Sequence, residues 1–446
     1  MRRNKLEEYN DYLARLYPEI KSRARSELSG LAAKTVTFVV TNRCSLACTY
    51  CYQKHKNQSV MSFDTAKKFV DLLLSGKKGF GSYIDKEESP GIILEFIGGE
   101  PLLEIDLIDR IVDYFREQTL LLGHPWADNF MLSICSNGVA YTEPAVQRFL
   151  QKNTGRISFS VTLDGNRELH DACRVFPDGS PSYHLAYAAC RDWMSRGNYM
   201  GSKITLCPEN VEHTFAASKH MMDMGYQDIN INCVYEEGWT GEHASILYYQ
   251  LKKVADYLLS DDNSIDADDI YYAFFNEDNY RPMAETETQN YCGGNGMMLA
   301  CGTDGRLYPC LRYVETSVGD EVAPMVIGNL EEGIGIAAAH RSCIDCLTCV
   351  NRRSQSTEEC FYCPIAQGCG WCTALNYQET GSPDKRLTHT CEMHKAASLA
   401  NVYFWNRYYR KQGSAERFTM YCPKEWAIPI IGEDEYQTLK TLSGEE

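Results

Sequence analysis

Twenty cysteines in a chain of 446 residues, most of them in two groups, constrain this fold more than any other feature. Cys44, Cys48 and Cys51 form one tight run, and eleven more fall between residues 292 and 391. The sequence after Met1 is too polar for a secretory signal, and no apolar run approaches the roughly 18 to 20 residues of a membrane span. A cytoplasmic protein without membrane contact is therefore expected, and reduced thiols at this density read as metal ligands before disulfides. Cys135, Cys173, Cys190, Cys207, Cys233 and Cys422 are scattered singly and read as small buried hydrophobes. Sixty acidic against 44 basic side chains, a net charge of −16, argue against nucleic acid or an anionic membrane as the main partner.

Residues 1 to 34 carry Leu6, Tyr9, Leu13, Leu16 and Tyr17 at near-helical spacing and predict an amphipathic segment docked on the body. From Thr35 the pattern changes to short β-branched and aromatic runs: Thr35 to Thr41, Ile92 to Ile97, Phe130 to Cys135, Ile157 to Leu163, Lys203 to Cys207 and Ile229 to Tyr235. Helix-like stretches separate them, at Phe63 to Leu74, Ile105 to Leu121, Glu143 to Gln151, Tyr183 to Ser195 and Val211 to Met224. Six such strands predict an α/β fold of parallel units over residues 35 to 240. Ligands of such sheets bind at the carboxyl ends of strands. The cysteine triple follows the first strand, Gly98 to Pro101 the second, Ser136 to Gly138 the third and Asp164 to Gly165 the fourth. Residues 241 to 290 predict a helical bridge whose acid-rich part, Asp261 to Asp278, reads as solvated surface. A cysteine-rich domain over 291 to 395 and a C-terminal helix and tail over 396 to 446 complete the chain. The stripe of Tyr403, Phe404, Trp405, Tyr408 and Tyr409 reads as core.

Three thiolates leave one corner of a four-iron cubane open, whereas a fourth ligand from elsewhere would make the site structural. Tyr50 stands just before the third cysteine, and Gly98, Gly99, Glu100 and Pro101 end the next strand. This combination resembles the radical S-adenosylmethionine (SAM) enzymes. The resemblance implies a partial (β/α)6 barrel and a [4Fe-4S] cluster on Cys44, Cys48 and Cys51 whose open iron is chelated by SAM. It also implies that the glycine turn contacts the SAM amino group, that Ser136, Asn137 and Ser160 meet the ribose and methionine, and that Arg174 pairs with the SAM carboxylate. Glycines let backbone acceptors approach closely, and Pro101 fixes the turn.

The second group reads CGGNGMMLACGTDGRLYPC from Cys292 through Cys301 to Cys310, then Cys360, Cys363, Cys369 and Cys372, then Cys391. It resembles the SPASM domain of radical SAM peptide-modifying enzymes, with two residues rather than three between Cys369 and Cys372. The resemblance implies an outer auxiliary iron-sulfur cluster on Cys360, Cys363, Cys369 and Cys391. An inner one falls on Cys292, Cys310 and Cys372, with Cys301 as fourth ligand or with that iron open. Cys343, Cys346 and Cys349 exceed the pattern and suit a metal, a thiol relay or an idle loop. With that extra triple, the chain also resembles the maturases of CXXX-repeat peptides.

The implied activity is removal of a hydrogen from a Cys-containing precursor peptide by a 5'-deoxyadenosyl radical, ending in a thioether. A one-electron donor such as flavodoxin or ferredoxin would drive it. Carbon-carbon crosslinking, epimerisation and formylglycine formation in a sulfatase remain alternatives. The last is weakened because Leu311 and Arg312 follow Cys310 where sulfatase-maturing relatives have an Asp. Outside enzymes, the alternative is a zinc-bound interaction scaffold. Leader recognition is expected to be compact, absent or supplied by another protein.

Overall fold

The computed structural model describes residues 33 to 444 except 237, 262 to 264, 289 to 291, 297 and 319 to 321. The helical segment expected over residues 1 to 34 lies outside the described residues, save that Ala33 and Lys34 already begin a strand. This strand, β1 (Ala33–Thr41), alternates so that Val36, Phe38 and Val40 are buried against helices. β2 (Gly91–Gly98), β3 (Phe130–Ser136) and β4 (Ile157–Val161) follow beside it, all parallel and in sequence order. Helices α1 (Phe63–Ser75), α2 (Ile105–Leu121) and α3 (Pro144–Lys152) cover one face of the sheet, burying Phe69, Ile108, Phe115 and Phe149. Ser62 starts α1 by accepting the Thr65 N–H, and Gly76 stops it with φ 63°. Because strand side chains alternate, Thr37, Glu95, Ser133 and Ser158, which are in register across β1 to β4, share the opposite, inner face.

Past α4 (Arg167–Cys173) and α5 (Tyr183–Ser195) the ladder changes. β5 (Ile204–Leu206) pairs with β7 (Ile231–Cys233), while β6 (Asp228–Ile229) pairs with β8 (Tyr271–Tyr272); α6 (Thr214–Asp223) intervenes. The run Ile229 to Tyr235, expected as one strand, is thus two. Asn230 separates them, its N–H donated to Ser202 Oγ at 2.8 Å instead of to a ladder. Among its described residues the expected helical bridge is α-helical only over α7 (Gly241–Leu258), which packs along the later helix α10 (Cys391–Lys411), with a short 3-10 turn at Ala267–Asp269.

The cysteine-rich part does not stand apart from the barrel. β9 (Met298–Cys301) adds in parallel to β1, from Thr35 beside Met298 to Phe38 beside Cys301. β10 (Arg306–Tyr308), β11 (Gly328–Asn329) and β12 (Gly333–Ile334) continue antiparallel, giving one eight-stranded sheet. Helices α8 (Ala338–Cys349) and α9 (Thr373–Thr380) follow. The expected tail after α10 holds two more helices, α11 (Lys424–Ile431) and α12 (Glu433–Ser443). Among the described residues no helix is long and apolar enough to cross a membrane.

Phe38 is fully buried, with the Phe69 ring edge-on at 4.8 Å and the Phe96 ring stacked at 5.3 Å. Phe38→Ala is expected to lower unfolding stability by about 3 to 5 kcal/mol, read by chemical denaturation, because the cavity opens between strands held on both sides.

Candidate functional site

Beyond Thr41 the chain turns across the end of β2. The Thr41 carbonyl accepts the Gly99 N–H at 3.0 Å and the Arg43 carbonyl accepts the Glu100 N–H at 2.8 Å, so the three-thiol loop lies on the Gly98 to Pro101 turn. A Cβ on Gly98 would stand 2.1 Å from the Thr41 oxygen, and one on Gly99 would stand 2.2 Å from the Arg43 oxygen and 2.9 Å from Cys44 Cβ. Both glycines are therefore demanded first by the chain's own cysteine loop, before any ligand arrives. Pro101 opens a short 3-10 turn, Pro101–Glu104.

Glu100 is the knot of this corner. Its side chain is 1% exposed and accepts Ser136 Oγ at 2.8 Å, the Asn137 N–H at 2.7 Å and the Leu102 N–H at 3.1 Å. Burial pushes its carboxyl up, and these donors pull it back only in part. Asn137 passes the tie onward, its Nδ2 donating to Ser45 Oγ at 3.0 Å and reaching Cys44 Sγ at 3.9 Å. Cys44, Cys48 and Cys51 are half-buried; burial raises the Cys44 and Cys48 thiols, and neighbouring thiols add to it. Burial lowers the Lys56 ammonium, but Cys51 and Cys44 beside it prevail and raise it.

Tyr50 donates its hydroxyl to Asp164 and accepts Arg174 Nη1 at 2.8 Å. Arg174 lies 4.0 Å from Asp164, whose other oxygen accepts the Thr205 N–H at 3.0 Å. Arg174 also bears on Cys48, and its Nε is buried with no acceptor among the described residues. Ser160 faces the inner side of the sheet, in register with Cys135. Sequence reasoning passed over two polar clusters on that inner wall. Thr37 Oγ1 donates to Glu95 at 2.6 Å, and Lys203 Nζ lies 4.0 Å from Cys135 Sγ, itself 3.4 Å from Thr162 Oγ1. Burial raises the Cys135 thiol, but the Lys203 charge and hydroxyl donors outweigh it and lower it. The signal for Glu95 was present: a lone charge inside the apolar run Ile92 to Ile97.

The C-terminal cysteines gather into two further sets. Cys360, Cys363, Cys369 and Cys391 surround Arg386, whose Nη2 donates to Cys369 Sγ at 2.8 Å. Cys292, Cys310 and Cys372 form the other, and a Cβ on Gly294 would touch Cys310 Sγ at 3.4 Å and Cys292 Sγ at 3.6 Å. Cys301 is not brought to them: it is fully buried in β9 among the barrel core. Cys343, Cys346 and Cys349 lie along α8, Cys343 half-buried and the other two exposed, and join neither set. Among the described residues no three His, Cys, Asp or Glu side chains stand as a single metal ion requires. Between the first triple and the inner set lies Tyr52, its ring 4.6 Å from the Arg312 guanidinium, which pairs with Glu236 at 3.1 Å. That bridge was also invisible in the sequence.

An open parallel half-barrel, with a three-thiol loop after its first strand and a Gly-Gly-Glu-Pro turn after its second, has the architecture of the radical SAM fold. Residues 29 to 132 match the family model described as a 4Fe-4S single cluster domain. The chain is 22% identical over 257 residues to the radical SAM cyclopropyl synthase TigE of Paramaledivibacter caminithermalis, covering 51% of this chain and 49% of that one. Over 149 residues it is 27% identical to a serine-type anaerobic sulfatase-maturating enzyme of Bacteroides thetaiotaomicron, covering 31% of each. The chain thus spans about half the length or less of these relatives. The fold matches a solved structure of anSMEcpe with bound AdoMet and a Cp18Cys peptide, with a TM-score of 0.59 at 15% identity, over 86% of this chain and 99% of that one. These matches relate the chain to the radical SAM family.

The residues present fit the cofactors. Three thiols share one loop, the glycines let that loop pack onto the end of β2, and Arg174 keeps an unused buried donor beside Cys48. Gly99→Val is expected to displace the Arg43 to Cys44 backbone. It should abolish SAM binding by equilibrium dialysis and remove about four irons from reconstituted protein.

Proposed function

We propose that the chain is a radical SAM enzyme that modifies a ribosomally made, Cys-containing peptide by joining a cysteine sulfur to a carbon of another residue. One observation carries this reading: the inner thiol set holds three cysteines, not four, because Cys301 is committed to the core of β9. A set of three leaves room for a fourth sulfur donor, which the substrate's cysteine supplies. Bound at Cys44, Cys48 and Cys51, a [4Fe-4S] cluster with SAM supplies the means of taking a hydrogen atom from an unactivated carbon.

The chain's own residues do the positioning. Glu100, Ser136 and Asn137 fix the cysteine loop against the strand ends; Arg174 holds Tyr50 beside the loop and offers its free Nε to a carboxylate. Tyr52 and Arg312 separate the two metal sets and close the space between them. Cys360, Cys363, Cys369 and Cys391, neutralised in part by Arg386, hold a second auxiliary cluster. A flavodoxin- or ferredoxin-type protein delivers electrons, and twenty reduced thiols suit a cytoplasmic setting.

The match to a cyclopropyl synthase over half of this chain favours a second reading, carbon-carbon bond formation in the peptide. The two differ in the fate of the thiol. Reconstituted protein is expected to hold about twelve irons, and replacing Cys44, Cys48 and Cys51 by Ala should remove about four and abolish SAM cleavage. With SAM, a reductant and a Cys-containing precursor, mass spectrometry should find the peptide lighter by the mass of two hydrogen atoms, with the reacted cysteine no longer alkylatable. Loss of that mass with the thiol still alkylatable selects the carbon-carbon reading. An unchanged mass accompanied by inverted configuration overturns both.

A further inference from the structure

Two of the scattered cysteines, distant in sequence, meet in the fold. Cys173 ends α4 and Cys207 follows β5, yet their sulfurs lie 3.9 Å apart as free thiols, each side chain 3% exposed. Asn210 holds both: its Oδ1 accepts the Cys207 N–H at 2.8 Å, and its Nδ2 reaches Cys173 Sγ at 3.7 Å. The Cys207 thiol, with Thr49 and Asn210, outweighs burial and Asp164 and pulls the Cys173 thiol down, whereas Cys173, burial and Glu209 push Cys207 up. One sulfur is thus prepared as a thiolate nucleophile, and the other stays a protonated thiol in contact with it.

The pair is tied to the first cysteine loop. The Cys173 carbonyl accepts the Thr49 N–H at 2.9 Å and the Val175 carbonyl accepts the Ala47 N–H at 2.8 Å, both amides lying between Cys44 and Cys51. Arg174, between those two carbonyls, donates to the Tyr50 hydroxyl at 2.8 Å. A disulfide holds its sulfurs at about 2.05 Å, so closing the pair draws them together by about 2 Å. A close-packed interior transmits such a shift rather than absorbing it. The end of α4 therefore moves against the loop whose amides it accepts.

We propose that Cys173 and Cys207 are a redox-modification site, closed to a disulfide by a peroxide-class oxidant, and that closure loosens the three-thiol loop. The Cys173 sulfur attacks hydrogen peroxide, giving a sulfenic acid and one water; the Cys207 sulfur then displaces the hydroxyl as a second water. Two thiols are oxidised, one peroxide is reduced, and both thiol protons leave in the waters. A dithiol such as dithiothreitol reverses the bond by exchange. None of this depends on which peptide the enzyme modifies. In the test, the reconstituted full chain is titrated anaerobically with hydrogen peroxide, then denatured, alkylated and digested with trypsin. Cys173 and Cys207 fall in tryptic peptides 168–174 and 204–219, neither with another cysteine, so their link has a single mass. It is expected to reach half occupancy at a dose that leaves Cys190, as deeply buried but beside no other thiol among the described residues, alkylatable. At that dose amide exchange over residues 45 to 50 should quicken about tenfold, recover with dithiothreitol, and stay unchanged in Cys207→Ala, whose folding is checked by its melting temperature. Absence of the linked peptide overturns the proposal whatever the variant does. A link that leaves loop exchange unchanged, or the same acceleration in folded Cys207→Ala, overturns it equally.

Discussion

The corner at Glu100 is the constraint on which the rest of the site depends. A carboxylate with almost no solvent access is tolerable only when its acceptors are used, and here one strand end and a turn supply three donors. Those donors come from Ser136 at the end of β3, from Asn137 just after it and from Leu102 after β2, while the Glu100 backbone itself holds Arg43. One residue, through its backbone and its side chain, therefore sets the relation among the cysteine loop, the glycine turn and the third strand. The thiols of Cys44, Cys48 and Cys51 inherit their positions from it.

A second constraint joins the two cysteine regions. β9 lies against β1 in the same ladder, so the segment bearing Cys292 and Cys310 is tied by backbone hydrogen bonds to the strand that leads into Cys44. The separation between sets is thus fixed by sheet geometry rather than by a flexible linker. Tyr52 and Arg312 occupy the interval, and the Glu236 carboxylate anchors the guanidinium there.

The cysteines divide by what surrounds them. Cys190, Cys207 and Cys422 are buried as small apolar side chains, and Cys173 and Cys207 lie 3.9 Å apart as free thiols. Cys135 differs, since it faces Lys203 on the inner wall of the sheet, which a reading of spacing alone assigns to the core. Cys301 departs in the opposite sense: it stands within a cysteine motif yet is buried in a strand. Local spacing identifies thiols that can converge; burial decides which of them do.

The alternation of β-branched strands with amphipathic helices determined the parallel α/β core, because a two-residue and a 3.6-residue period each bury only one kind of surface. α2 and α5 begin and end where that periodicity placed them. The cysteine loop and the Gly-Gly-Glu-Pro turn were legible for the same reason, as each is a short segment whose residues meet locally. Only the tertiary structure decided that the ladder breaks after β4, that the cysteine-rich region enters the barrel sheet through β9, and that an acidic stretch closes over an aromatic helix. These outcomes depend on pairings between residues far apart in the chain, such as Thr35 with Met298 or Tyr408 with Asp268, and no local period records which distant surface will satisfy a strand edge or a carboxylate.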